Sequence, residues 1–394
     1  MKNRNIMRKV DNPFVTSGKI KPKYFCDRQA ESAELVKSIT NDNNLMLISP
    51  RRMGKTGLIH FCYDQYLSED YQTFFIDILH TTSLQEFAYI FGRQVYEAIC
   101  PRSKKWALAF VQTLKSLSGQ FGFDPLTYLP TFNLQLGDII HPEIVLEEIF
   151  QYLEQADKPC VVAFDEFQQV ANYKEKNIEA LLRSHIQNAT NTHFIFAGSE
   201  FHIMQEMFLS NARPFYNSAD TLVLKAIDIE KYTEFVSHHL QENHRSIAKK
   251  DIEKVYHLFR GNTYAMQKTF NEVFANTEET ENCDIDTIEK AINHVIDTKE
   301  PLFREILSNI PEKHKPLLYA IAREGEVTQI LSAKFIHAHR LTSASNVQHS
   351  TRQLIERGII TKHEGRYSLN EAFFALWINR LYGSATLSEI LKNV

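Results

Sequence analysis

Ser49-Pro50-Arg51-Arg52-Met53-Gly54-Lys55-Thr56 holds the residue types that grip phosphate. It stands between the apolar run Leu45-Met46-Leu47-Ile48 and the segment Gly57-Leu58-Ile59-His60-Phe61. In such a loop, backbone N–H groups and a helix N-terminus surround the phosphates. The lysine reaches the β- and γ-phosphates and the following hydroxyl ligates Mg2+. Ser49 takes the place of the first glycine of the usual G-x-x-x-x-G-K-[ST] pattern. By itself the segment is therefore a partial match, and its meaning depends on whether the rest of a nucleotide site follows.

The companion is Asp165-Glu166, at the end of the apolar run Cys160-Val161-Val162-Ala163-Phe164 and 110 residues after Lys55. Ligands of open parallel sheets sit outside the carboxyl ends of the strands. The loop after Ile48 and the acid pair are therefore expected at one sheet edge. Asp165 can serve Mg2+ opposite Thr56, and Glu166 can orient or deprotonate an attacking water. A strand ending in acids is common alone; both halves in this order are not. Ser199, after Phe194-Ile195-Phe196-Ala197-Gly198, could sense the γ-phosphate or position the water, although a plain loop serine would look the same.

These residues need a parallel α/β sheet to bring them together. Leu45–Ile48, Thr73–Ile78, Cys160–Asp165 and His193–Ser199 read as buried strands. Helices are expected over Asp27–Ile39, from about Lys55, over Ser83–Cys100, from His141 to about Leu153, and over Asn177–Asn188. Lys104–Asn133, with Gly119, Gly122, Pro125 and Pro130, reads as an insertion. From Asp228 to about Thr298 the pattern is almost wholly helical.

The bulk properties agree. The 394 residues suffice for two or three domains. A content of 43% hydrophobic and 23% charged residues is that of a globular chain, and a net charge of −4 demands no nucleic-acid or membrane partner. Cys26, Cys62, Cys100, Cys160 and Cys283 form no C-x-x-C pair, which disfavours a zinc site or a disulfide framework. There is no second metal cluster and no Ser/His/Asp or Cys/His pattern. No apolar run is long enough to span a membrane and the polar N-terminus is no secretion signal, so a cytoplasmic protein is expected. The first 23 residues carry seven Lys/Arg against Asp11 alone. This basic arm could touch nucleic acid, or it could be a solvated leader packed through Pro13-Phe14.

Over most of its length the chain resembles the archaeal-type P-loop ATPases, a branch of the STAND/AAA+ NTPases. The resemblance rests on Asn12-Pro13-Phe14, the entry motif Phe25-Cys26-Asp27-Arg28-Gln29-Ala30-Glu31, the loop Ser49–Thr56, Phe164-Asp165-Glu166-Phe167-Gln168-Gln169 and Phe196-Ala197-Gly198-Ser199. It implies ATP binding, Mg2+-dependent hydrolysis to ADP, a helical lid and a C-terminal winged helix, with Phe25 and Arg28 near adenine and ribose. Two departures stand out. The family's Pro-Leu-Tyr-Gly-Arg segment reads Arg213-Pro214-Phe215-Tyr216-Asn217-Ser218, so Arg213 is the candidate replacement for the missing arginine. The lid's Gly-x-Pro reads Gly261-Asn262-Thr263; losing proline removes a fixed φ. Lid closure or ADP retention could change with it, and hydrolysis could then be slow.

At the C-terminus, helices are expected over Lys315–Glu324, about Ser332–His339 and Asn346–Arg357, the last capped within Thr342-Ser343-Ala344-Ser345. A hairpin then turns at His363-Glu364-Gly365. Three helices and a wing make a winged helix-turn-helix. Glu312–Arg380 holds ten Lys/Arg and six Asp/Glu. Asn346, Gln348, His349, Arg352, Gln353 and Arg357, with Lys362 and Arg366 on the wing, could meet DNA. The module could equally contact protein, and Trp377 is expected in the core.

The sequence thus predicts an α/β P-loop NTPase: a basic arm (1–23), an ATPase core (24–226), a helical lid (227–300) and a winged-helix domain (301–394). Its expected cofactors are ATP/ADP and Mg2+. Pro50 to Gly57 hold the nucleotide, Thr56 and Asp165 serve the metal, and Lys55, Glu166, Ser199 and Arg213 act in catalysis. The expected function is a nucleotide-controlled switch; the alternative is a DNA-binding regulator with a structural or slowly hydrolysed nucleotide. Partners are ATP and a DNA or protein at the winged helix, with no membrane. The oligomeric state is left open, a nucleotide-dependent homo-oligomer being one option.

Overall fold

Five short apolar strands pair in parallel in the computed structural model, which describes residues 11–18, 20–100, 102–125, 130–383 and 386–393. The chain divides into two compact units. One holds Arg28–Pro50 and Gly54–Lys225; the other takes the residues up to Asp27, Arg51–Met53 and the chain from Ala226 onward.

In the first unit α1 (Gln29–Thr40) leads to β1 (Leu45–Ile48), α2 (Lys55–Cys62) and β2 (Gln72–Asp77). The helices α3 (Leu84–Ile99) and α4 (Lys104–Thr113) precede the hairpin strands β3 (Phe121–Phe123) and β4 (Pro130–Phe132). Then come α5 (Pro142–Glu154), β5 (Cys160–Asp165), α6 (Ile178–Asn188), β6 (Thr192–Gly198), α7 (Phe201–Leu209) and β7 (Asp220–Val223). The sheet order is β2-β5-β6-β1-β7. Its register sets Ile48 beside Gly198, Phe164 beside Phe196 and Asp77 beside Asp165. Near-continuous apolar strands suit a sheet covered on both faces. Phe164, Phe194 and Phe196 stack within it, with Phe167, Phe208 and Phe215 packed around them. Each such buried ring is worth about 1.5–3 kcal/mol.

The expected strands and helices form, with bounds shifted by a residue or two. The region read as an insertion contributes α4 and the β3–β4 hairpin. The edge strand β7 is a strand the sequence reading did not list.

In the second unit α8 (Ile229–Glu242), α9 (Lys249–Phe259), α10 (Thr263–Ala275) and α11 (Ile285–Ser308) are joined by a two-residue parallel pair, β8 (Ser246–Ile247) and β9 (Asn282–Cys283). The rest of this stretch is helical, in line with the almost wholly helical pattern expected over Asp228–Thr298. α12 (Lys315–Glu324), α13 (Ala333–Ala338) and α14 (Ala344–Glu356) follow, then β10 (Ile360–His363), β11 (Arg366–Leu369), α15 (Ala372–Tyr382) and α16 (Leu387–Asn393). Ser343 caps α14 by accepting from the Asn346 N–H. The wing turns at Glu364 and Gly365, both at positive φ, in a two-residue hairpin loop.

Trp377 is buried against Phe303 and Phe374, as expected for a core residue. Phe14 is fully buried among Phe235, Phe270 and Phe274. Of the basic arm's cations, Lys2, Arg4, Arg8, Lys9 and Lys19 lie outside the described residues; Lys21 pairs with Asp11. No helix among the described residues is long and apolar enough to cross a membrane.

Candidate nucleotide site

The strand order decides which residues meet. β1, β6 and β5 are consecutive in the sheet, so the loop after Ile48, Ser199 after β6 and Asp165 at the end of β5 share the carboxyl edge. Gly54 caps α2 at φ 98°, a conformation that only glycine adopts without strain. A Cβ built on it meets nothing within 4 Å. A glycine in this conformation just ahead of a helix N-terminus fits a loop whose backbone N–H groups take phosphate oxygens. Lys55 is buried at the first turn of α2.

The Thr56 hydroxyl donates to Asp165 Oδ2 at 2.8 Å. The Glu166 N–H donates to Asp165 Oδ1 at 3.1 Å. Burial raises the Asp165 carboxyl above the usual range; Lys55 and the Thr56 hydrogen bond pull it down, and Glu166 and Asp77 push it up. A buried carboxylate beside a hydroxyl at a helix N-terminus is an all-oxygen donor set of the kind a hard divalent cation takes. Thr56 and Asp165 therefore fit Mg2+.

Glu166 sits at φ 58°, an uncommon conformation for a residue with a side chain. Its Oε2 accepts from Ser199 Oγ at 2.6 Å and from Gln168 Nε2 at 2.5 Å. Sequence reasoning gave no role to Gln168 or to Asp77, whose register position faces Asp165 across β2 and β5. The acid at the end of the β2 pattern was a signal for Asp77. For Gln168 only the turn after Glu166 reveals the contact.

The remaining expected residues have other partners. Arg28 is buried at the N-cap of α1, with Nη1 2.7 Å from Glu31 Oε1 and Nη2 donating to the Lys225 carbonyl at 2.7 Å. Phe25 is half-buried after the turn Pro22–Tyr24. Arg213 Nη2 donates to Glu179 Oε1 at 2.6 Å, and Nη1 lies 3.5 Å from Glu206 Oε1. Ser49 is fully buried, with its hydroxyl on the Pro50 carbonyl.

Arg51–Met53 pack within the C-terminal unit. Arg52 pairs with Glu371 and its guanidinium lies 4.8 Å from the Tyr264 ring centre. The Tyr264 N–H donates to the Arg52 carbonyl at 3.1 Å, and the Thr263 hydroxyl to the Met53 carbonyl at 3.4 Å. Thr263, where the resemblance has proline, thus starts α10 with a side-chain contact to the loop. α8 also gathers His238, His239 and Glu242, a grouping the sequence reading did not find. His239 Nδ1 is 3.1 Å from Glu242, and its ring packs edge-on to Tyr24 and Phe235.

The family of ATPase domains predominantly from Archaea matches residues 25–269. The chain belongs to this family. It is an ATP-hydrolysing enzyme, and a probable winged helix domain matches residues 301–380. Among solved structures, this ATPase is similar to the Walker-type ATPase PABY2304 of Pyrococcus abyssi: 18% identity over 93% of this chain and 99% of that one, TM-score 0.64. It is also similar to the ORC2 protein of Aeropyrum pernix in its ADPNP-ADP complexes: 13% identity over 98% and 97% of the two chains, TM-score 0.58. At these identities the likeness is one of fold. No curated protein matches the sequence.

Proposed function

We propose that this ATPase hydrolyses ATP with Mg2+ and uses the nucleotide to control its winged helix. The observation that carries the catalytic half is the Thr56–Asp165 hydrogen bond of 2.8 Å, beside buried Lys55 and followed at once by Glu166. Lys55 holds the β- and γ-phosphates, while Thr56 and Asp165 would hold the ion. Mg2+, when bound, neutralises charge on the phosphate oxygens. Glu166 orients a water and takes its proton. The water oxygen bonds to the γ-phosphorus as the bond to the bridging oxygen breaks, and ADP leaves. Ser199 stands next to Glu166 as the γ-phosphate sensor, and Phe25 is the candidate neighbour of the adenine. Arg213, paired here with Glu179 and Glu206, is the candidate for the second cation on the phosphates.

The switch half is supported by Arg52, a phosphate-loop residue paired with Glu371, the N-cap of α15. On this reading 24–226 is the ATPase core, 227–300 the lid and 301–394 the winged-helix domain, with the basic arm before them. Phosphate release measured with and without Mg2+ tests the catalytic half. Turnover that persists in excess chelator ends it.

The second reading, a DNA-binding regulator, is favoured by α14. Asn346, Gln348, His349 and Arg352 are exposed there, and its first acid is Glu356. Lys362 and Arg366 are exposed on the wing. Arg357 donates to the Asn309 carbonyl at 2.9 Å, Gln353 to Glu356 at 2.8 Å, and Arg366 lies 3.3 Å from Glu326. Salt-sensitive duplex binding, with slow phosphate release that duplex leaves unchanged, would favour this reading.

A further inference from the structure

One polar side chain inside the catalytic edge has no part in the mechanism above. Gln168 is fully buried in the turn Phe167–Asn172. The positive φ of Glu166 folds the chain back, so the amide two residues later lies beside the carboxylate. Its Nε2 donates to Glu166 Oε2, the oxygen that also accepts from Ser199, and lies 3.5 Å from Ser199 Oγ. At the other end of the amide, buried Oε1 accepts no hydrogen bond from any described residue.

A buried carbonyl without a donor is destabilising, and methionine would fill this volume without that cost. Rotating the amide gives no relief, because it would set carbonyl against carboxylate, two acceptors face to face. Gly198 makes the room. A Cβ there would come within 2.8 Å of Gln168 Oε1 and 2.5 Å of Met204 Cγ. The amide is kept at a cost, and what it provides is its N–H on Glu166.

We infer that Gln168 is a positioning residue for ATP hydrolysis. Together with Ser199 it clamps Oε2 of Glu166, so that Oε1 is the oxygen left to take the proton of the attacking water. A carboxylate held by two donors on one oxygen keeps its orientation through the reaction, which is what a general base needs. This rests on Glu166 being the group that acts on the water.

The test is a double-mutant cycle on the full chain. Gln168→Met, Glu166→Gln and the pair are compared for phosphate release at saturating ATP and Mg2+, and for binding of a fluorescent ADP analogue. Gln168→Met is expected to keep KM and ADP-analogue affinity within about twofold and to lower kcat about tenfold. It should cost nothing further in the Glu166→Gln background. Gln168→Glu, of the same shape, donates only when protonated. Its kcat relative to wild type should recover as pH is lowered from about 8 to about 5.5. Wild-type kcat in Gln168→Met, or the same loss on top of Glu166→Gln, overturns the inference while leaving Glu166 in place. Wild-type turnover by Glu166→Gln removes the base assignment and this inference with it. If Gln168→Met binds no nucleotide, the pH series on Gln168→Glu decides, and a flat ratio overturns the proposal.

Discussion

Arg52 of the phosphate loop is paired with Glu371, the residue that caps the last long helix of the winged-helix module. Lys299 approaches the same carboxylate at 3.6 Å, and both cations lie over the Tyr264 ring. On the proposed function Arg52 also serves the nucleotide, and a phosphate would then be a second anion competing with Glu371 for one guanidinium.

Removing the charge of Glu371 should therefore tighten nucleotide binding. Glu371→Gln keeps an oxygen for the Phe373 N–H it now caps. An ion pair with one exposed partner is worth about 0.2–1 kcal/mol, so ATP affinity by calorimetry should rise about two- to fivefold. The gain should shrink at high salt. Unchanged affinity at low salt would separate Arg52 from nucleotide binding.

Lys55 and Glu166 should fail in different ways. Lys55→Ala removes the charged donor to the phosphates, and hydrogen bonds to charged groups are worth about 1.5–3 kcal/mol. ATP affinity, read by calorimetry, should fall by about one to two orders of magnitude. Glu166→Gln keeps shape and hydrogen bonding and should bind ATP as wild type does while losing turnover. Equal ATP affinity in Lys55→Ala and wild type would sink the assignment of this loop.

The site was legible where its signal is local. Strand, glycine loop and helix lie within about twenty residues, and the acid pair ends a β-branched apolar run of strand length that follows Lys158-Pro159. What escaped depends on register or on turns. Asp77 faces Asp165 only because β2 pairs with β5 in that alignment. Arg213 finds Glu179 across 34 residues of chain, a relation that no periodicity encodes. β7 is four residues long with its first two exposed, too short and too polar at one end to announce itself.

The threonine that replaces the lid proline makes its own test. Asn262, at φ −62° and ψ 103°, lies outside the helical region that a following proline disfavours, and Thr263 opens α10, where a missing N–H costs little. The hydroxyl's hydrogen bond to the Met53 carbonyl, which proline cannot make, is long at 3.4 Å. Thr263→Pro should raise stability by about 0.4–1 kcal/mol through the unfolded chain, seen as a higher melting midpoint. A lower midpoint would show that the hydrogen bond to Met53 outweighs the fixed φ.

Asp165 should trade stability against catalysis. Burial raises its carboxyl in the folded protein, so the folded state favours the protonated form. The stabilisation this gives is complete below the unfolded carboxyl range of about 4 and is lost as pH rises through the higher folded value. At neutral pH the ionised, buried carboxylate therefore destabilises the fold. Asp165→Asn removes that charge and can still accept from Thr56. Its melting midpoint relative to wild type should rise between about pH 4 and pH 7, by about 1–2 °C for a stabilisation of about 1 kcal/mol, while Mg2+-dependent phosphate release disappears. A variant less stable than wild type at pH 7 would mean that the attraction of Lys55 outweighs burial. In that case the midpoint difference should reverse sign in the Lys55→Ala background.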